Sequence, residues 1–276
     1  MKPVGPIDTT ELFPPLSREL LGVLRALAPA DWARPTPCPA WTVQDVAAHL
    51  LGGSLGRLRP PPPSGSQPAA SPTFDELLAL INQANDVWVQ AARRISPEIL
   101  IEFLELTDQR LYEHFRRLAP DEPARITVAW ASDRLPPNWL DVAREYTEKW
   151  LHQQHIREAV GWPLLTGRVW LAPVLDTFLR GLPRAYRQVE AQPGASVAVQ
   201  ITGQAGGEWT LVRAGEGWEL YRGTDPHAAS RVSLAQDLAW RLFTKGIDPE
   251  AARPHIRFDG APALGEPLLA LVSIMA

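Results

Sequence analysis

The sequence predicts a two-domain α+β protein: an antiparallel four-helix bundle over residues 1–165, then a small α+β domain over residues 173–276. Three observations predict it. Apolar residues recur at helical spacing through the first half of the chain, and near Ser196 the spacing changes to strict alternation. No apolar run approaches the roughly 20 residues that span a bilayer, so these helices must bury their apolar faces against one another in water.

The elements follow in order. Leu16, Leu20, Leu24 and Leu27 give a first amphipathic helix that stops near Pro29. A second begins at Thr42, whose hydroxyl can cap free backbone N–H groups, with Asp45 favoured in the first turn by the helix dipole. Trp41 and Val46 stand where a hydrophobic staple forms, and the helix runs through His49 towards Gly52-Gly53. From Arg59 to Pro72, Pro60-Pro61-Pro62-Pro63 and several Ser and Gly residues predict an exposed, partly extended connection. Thr73-x-x-Glu76 is a capping box for a third helix, with Leu77, Ile81, Ala84 and Trp88 on one face. Ser96-Pro97 opens a fourth, its apolar side supplied by Phe103, Leu104, Leu111, Phe115 and Leu118. A Pro- and Asp-rich loop with Trp130 and Trp139 leads to a long helix from about Asn138 to Val160, ended by Gly161. Leu171 to Glu190 reads as one more helix. Ser196–Thr202, Glu208–Arg213 and Gly217–Tyr221 read as strands, with a short fourth at His255 to Phe258. Ser233 to Lys245 and Leu264 to Met275 return to helical spacing.

Composition narrows the function. A net charge of −4 without a basic run argues against nucleic acid as a partner. MKPVGPIDTTEL has no apolar stretch that would serve as a secretory signal, so the chain is expected in the cytoplasm, with no membrane partner. A single cysteine, Cys38, excludes an internal disulfide and a cysteine-cluster metal site.

The long helix carries the chemistry. In Glu148-Lys-Trp-Leu-His152-Gln-Gln-His155, the first two donors are four residues apart and stack on one face, the step that a cation needs from two ligands on one helix. His155, Asp141 and Glu145 share that stripe. A third ligand from another helix would complete a three-residue site with open positions, the catalytic arrangement; the same stripe would also serve as a solvated face. His49 is a candidate ligand or a packed core histidine. Cys38 reads as a small packing residue, and His114, His227 and His255 as structural.

Thr36-Pro-Cys38-Pro-Ala-Trp41-Thr-Val-Gln-Asp45-Val-Ala-Ala-His49-Leu50 resembles the T-x-C-P-G-W-T-V-x-D-V-x-x-H-L signature of the mycothiol-dependent maleylpyruvate isomerase family, within the DinB-like superfamily of metal-binding helical bundles. Glu148-Lys-Trp150-Leu-His152-Gln-Gln-His155-Ile-Arg157-Glu-Ala-Val-Gly161 is similar to its E-x-W-x-H-x-x-D-I-R-x-A-x-G segment, and Phe258-Asp-Gly260 with the helix after it to its C-terminal domain. The resemblance implies a divalent metal, zinc or alternatively nickel, held by His49, Glu148 and His152. It also implies a low-molecular-weight thiol, mycothiol- or bacillithiol-like, activated on that metal for isomerisation or S-transfer with a small-molecule substrate. A non-enzymatic metal- or small-molecule-binding protein on the same fold is the alternative. His155 stands where the family often has Asp, as a fourth ligand or as a residue that supports one; three ligands from one short stretch of helix would crowd a tetrahedral ion, which favours a supporting, cavity-lining role. Ala40 replaces the usual Gly, a change expected to be without consequence. The family's Gly-Arg pair near the metal is absent; Arg241-Leu-Phe-Thr-Lys245-Gly246 occupies that region, with Lys245 or Arg241 as substitutes.

Overall fold

The computed structural model describes residues 1–60, 74–125, 135–215 and 217–272. The Pro-rich connection, the Thr73 capping box, Trp130 and the Met275–Ala276 end lie wholly or partly outside these residues. The architecture is α+β, with a helical N-terminal region and a mixed sheet towards the C-terminus. Among the described residues, no helix is long and apolar enough to cross a membrane.

One of two compact units comprises Thr9–Ala119 and Glu148–Leu164. It contains α1 (Phe13–Ala26), α2 (Val43–Leu58), α3 (Phe74–Ala92), α4 (Pro97–Phe115) and the later turns of α5 (Asn138–Val160). Pro14 and Pro15 fall at the start of α1, where the missing N–H groups are orphans in any case. Leu16, Leu20 and Leu24 are buried, the last two in a core shared with α2 and α4. Thr42 caps α2: its hydroxyl accepts from the Asp45 N–H, and the Asp45 carboxylate accepts from the Thr42 N–H in return. Arg93, just past α3, donates twice to Asp45 and ties the two helices together.

Four readings of these helices need correction. α2 does not stop at Gly52-Gly53 but continues to Leu58. Gly52 serves packing instead: a Cβ there would collide with the Trp88 indole, which donates to the Ala48 carbonyl at 2.7 Å. On α3 the deepest apolar positions are Val89 and Ala92, while Ala84 is exposed. On α4 the inner face is Leu100, Leu104, Leu111 and Phe115, and Phe103 is turned out, 45% exposed. Trp139 belongs to the first turn of α5 rather than to the loop.

The other unit comprises Met1–Asp8, Pro120–Thr147 and the described residues from Leu165 onward. It holds β1 (Lys2–Pro3), the first turns of α5, α6 (Arg168–Leu179), α7 (Leu182–Ala185), β2 (Ser196–Thr202), β3 (Gly207–Ala214), β4 (Gly217–Arg222), β5 (Ser230–Ala235), α8 (Gln236–Phe243), α9 (Pro249–Ala252), β6 (Arg257–Gly260) and α10 (Pro262–Gly265). The sheet order is β1-β4-β3-β2-β5-β6, antiparallel except for the parallel β2/β5 pair. Val197, Val199, Trp209, Leu211, Val232 and Leu234 are buried on its strands, as are Trp240 and Phe243 on α8.

Here too the sequence reading is corrected. The expected helix from Leu171 is two, α6 and α7, because Pro183 has no N–H to continue the ladder and its ring opposes the carbonyl one turn earlier. Ser233 to Lys245 is not one helix: β5 ends at Ala235, and α8 begins with Gln236. The helix expected from Leu264 is the short α10 and a 3₁₀ turn over Glu266–Ala270, with Pro267 at its start. Gly161 does end α5, in the left-handed conformation at φ 71°.

Candidate metal centre

His49, Glu148 and His152 come together within the helical unit. α2 supplies His49 from a face that is otherwise core, between buried Ala48 and Leu50. α5 supplies Glu148 and His152 one turn apart. One carboxylate oxygen, Glu148 Oε1, lies 3.4 Å from His49 Nε2 and 3.2 Å from His152 Nε2. The two imidazoles meet edge to face with their centroids 4.5 Å apart, and Trp41 packs on His49 at 4.9 Å.

The spacing suits a small ion. Ligands at about 2.0–2.1 Å on tetrahedral axes stand about 3.3–3.4 Å from one another, close to both measured separations. Electrostatics agree. Burial opposes the Glu148 charge, yet the His152 and His49 ring N–H groups outweigh it and hold the carboxyl well below its usual range. Burial, then the neighbouring His49, lowers the His152 pKa and favours the neutral ring that binds metals. His49 Nδ1 is buried without a hydrogen-bond partner among the described residues, whereas such a ligand normally donates its second N–H.

Lys149 faces another way from Glu148, into a buried network. Its ammonium donates to Asp108 at 2.8 Å and to Ser54 at 2.9 Å, and Ser17 donates to Asp108 at 2.7 Å. That network sets the rotation of α5 and hence the aim of Glu148.

A second grouping lies on the far side of His152. Cys38 Sγ is 3.0 Å from His155 Nδ1 and 3.8 Å from His152 Nδ1. The loop that carries Cys38 closes on itself: the Thr36 N–H and hydroxyl both reach the Trp41 carbonyl, and the Trp41 N–H donates to Cys38. Burial pushes the Cys38 thiol up to about 12. Cys38 packs against the core of this unit, as expected, and also meets the two histidines. Spacing gave no sign of this, because Cys38 and the histidines are over a hundred residues apart and meet only through the turn. Ala40 takes φ 66° in that turn. The replacement of Gly there is not without consequence, because a Cβ is strained in the left-handed region.

The rest of the stripe does other work. Asp141 and Glu145 are buried beside Arg144 and join no metal-type group among the described residues. His114, His227 and His255 join none either. Arg241 and Lys245 belong to the other unit, where Arg241 stacks on Trp240.

A family model described as the mycothiol maleylpyruvate isomerase N-terminal domain matches residues 13–157, a span that includes both groupings. No curated protein matches the chain. Among solved structures, the chain is similar to a mycothiol-dependent maleylpyruvate isomerase, with 13% identity, a TM-score of 0.48, and coverage of 84% of this chain and 86% of that one. A mutant of such an isomerase matches with 13% identity, a TM-score of 0.46 and the same coverage. A ubiquinone synthesis protein, UbiJ-SCP2, matches with 16% identity and a TM-score of 0.26, over 39% of this chain and 89% of that one.

Proposed function

This chain belongs to the mycothiol maleylpyruvate isomerase family, and on that premise we propose that it is a metal-dependent isomerase or S-transferase using a low-molecular-weight thiol. The observation that carries the reading is the single oxygen of Glu148 held between His49 and His152. These three residues would hold a divalent ion, zinc or alternatively nickel, inside a four-helix bundle of the DinB kind. When bound, the ion would favour thiolate over thiol near neutral pH, and thiolate is the attacking form.

The protein's own residues do the rest. Glu148 stays ionised and offers negative charge to a cation. His152 stays neutral and keeps a lone pair free. Cys38, whose proton is held by burial, does not compete as a nucleophile, so the thiol must come from outside. Mycothiol fits the family, a bacillithiol-like thiol is the alternative, and either places the protein in the cytoplasm with a small electrophilic substrate. The absence of the family's Gly-Arg pair, with Lys245-Gly246 in that region, favours a second reading, a metal- or small-molecule-binding protein without turnover.

The test is to load purified protein with zinc and screen thiols against maleylpyruvate and other electrophiles. Turnover should need both metal and thiol, vanish in His49→Ala, and persist in Cys38→Ser. A folded, metal-loaded Cys38→Ser protein without activity would make the protein's cysteine the nucleophile. Absence of turnover with every thiol would put the binding reading first.

A further inference from the structure

We propose that Cys38, His155 and His152 form a second, sulfur-containing metal position that shares His152 with the first, so that one ion occupies one position or the other according to its softness. The ring of His152 stands between the two positions. Its Nε2 points at Glu148, and its Nδ1 points at Cys38. A neutral imidazole has one nitrogen with a free lone pair while the other carries the proton. It therefore serves one ion at a time.

The second position has the dimensions of a coordination site. Nitrogen ligands at about 2.0–2.1 Å and sulfur at about 2.3 Å, on tetrahedral axes, stand about 3.6 Å apart. The measured Sγ to Nδ1 separations, 3.0 Å to His155 and 3.8 Å to His152, bracket that value. All three donor atoms lie within 4.8 Å of one another. Crowding by three ligands from one helix does not arise, because the Thr36–Trp41 turn supplies the sulfur and α5 only the two rings.

Each position also supports the other when empty. With an ion on Nε2, His152 Nδ1–H donates towards the Cys38 sulfur. With an ion on Nδ1, His152 Nε2–H donates to Glu148 Oε1, and the carboxylate fixes the tautomer as carboxylate partners of metal-bound histidines do. Binding at the second position replaces the S–H bond by a metal–sulfur bond, and the proton leaves to solvent. Thiolate selects soft ions, whereas a carboxylate with two imidazoles suits borderline ones. Cadmium or copper(I) therefore belongs at Cys38, and zinc or nickel at Glu148. A soft ion that takes His152 leaves His49 and Glu148 with two ligands and disables the first position.

The inference does not rest on the thiol chemistry proposed above, and the two fail separately. Full-length protein freed of metal is titrated with cadmium alone and with zinc alone, with metal stoichiometry and near-ultraviolet thiolate-to-metal absorption recorded. Cadmium should bind at one ion per chain with a thiolate band. The band should disappear in Cys38→Ser and His152→Ala, weaken in His155→Ala, and survive in His49→Ala. Alkylation of Cys38 by iodoacetamide, which needs no variant, should be slowed by cadmium and not by zinc. Cadmium binding without a thiolate band, a band unchanged by His155→Ala, or two ions per chain would each overturn the proposal. A cadmium band in a protein that takes up no zinc would support this second position and remove the first.

Discussion

Glu148, His152 and Ala40 show how much depends on single residues. His152 is buried beside His49, and both effects lower its pKa. The sign follows. A proton competes with a metal for the ring only as pH falls through the folded value, which lies below the ordinary value of about 6.5. In the metal-free protein the His152 ring, followed by NMR, should therefore take up its proton only below pH 6.5; a His152 midpoint above pH 6.5 would contradict its placement. Ala40 gives the opposite case, a residue whose cost is local. Its φ of 66° penalises an L side chain by about 1–2 kcal/mol, part of which glycine returns through backbone entropy. Ala40→Gly should stabilise the fold by about 0.5–1 kcal/mol in urea unfolding, and a lowered midpoint would refute the strain. The Glu148/His152 step was legible in the sequence because one helical turn fixes it. The approach of Cys38 to His155 was not, because no spacing encodes how the turn at Ala40 folds back.

At the scale of elements, the local signals were readable and the long-range ones were not. Thr42 and Asp45 announce the start of α2 because the cap is made within four residues. Ser233 reads as helix in the sequence but is strand in β5, since that state depends on pairing with β2 and β6, segments distant in sequence. Phe103 was misplaced for a related reason: α4 presents Thr107 and Asp108 inward, and Asp108 is held there by partners on α1, α2 and α5. This buried group gives the sharpest test of how α5 is held. Asp108→Ala strands the Lys149 ammonium and should cost about 3–5 kcal/mol. Asp108→Leu combined with Lys149→Met removes both charges and should recover much of that loss. Denaturant unfolding of the three proteins decides it. A single substitution that costs less than about 1 kcal/mol would mean that the pair does not fix α5.

For the whole molecule, the α+β class was legible from the change of period near Ser196, and the family from the two His-bearing motifs, whose histidines fall inside the matched span of residues 13–157. The C-terminal elements were less legible, because short helical segments opened by Pro183 and Pro267 carry too few turns for a period to show. An ion that binds only the folded chain adds stability by mass action, about 2.7 kcal/mol at a hundred times its dissociation constant, so the site also bears on the fold around it. The proposed isomerase or S-transferase chemistry rests on an ion between α2 and α5. Anomalous diffraction at the zinc edge, from crystals of zinc-loaded protein, tests that directly. One peak about 2.0–2.2 Å from His49 Nε2, a Glu148 oxygen and His152 Nε2 is the predicted result. No peak, or a peak elsewhere with His49 and Glu148 left uncoordinated, would contradict it.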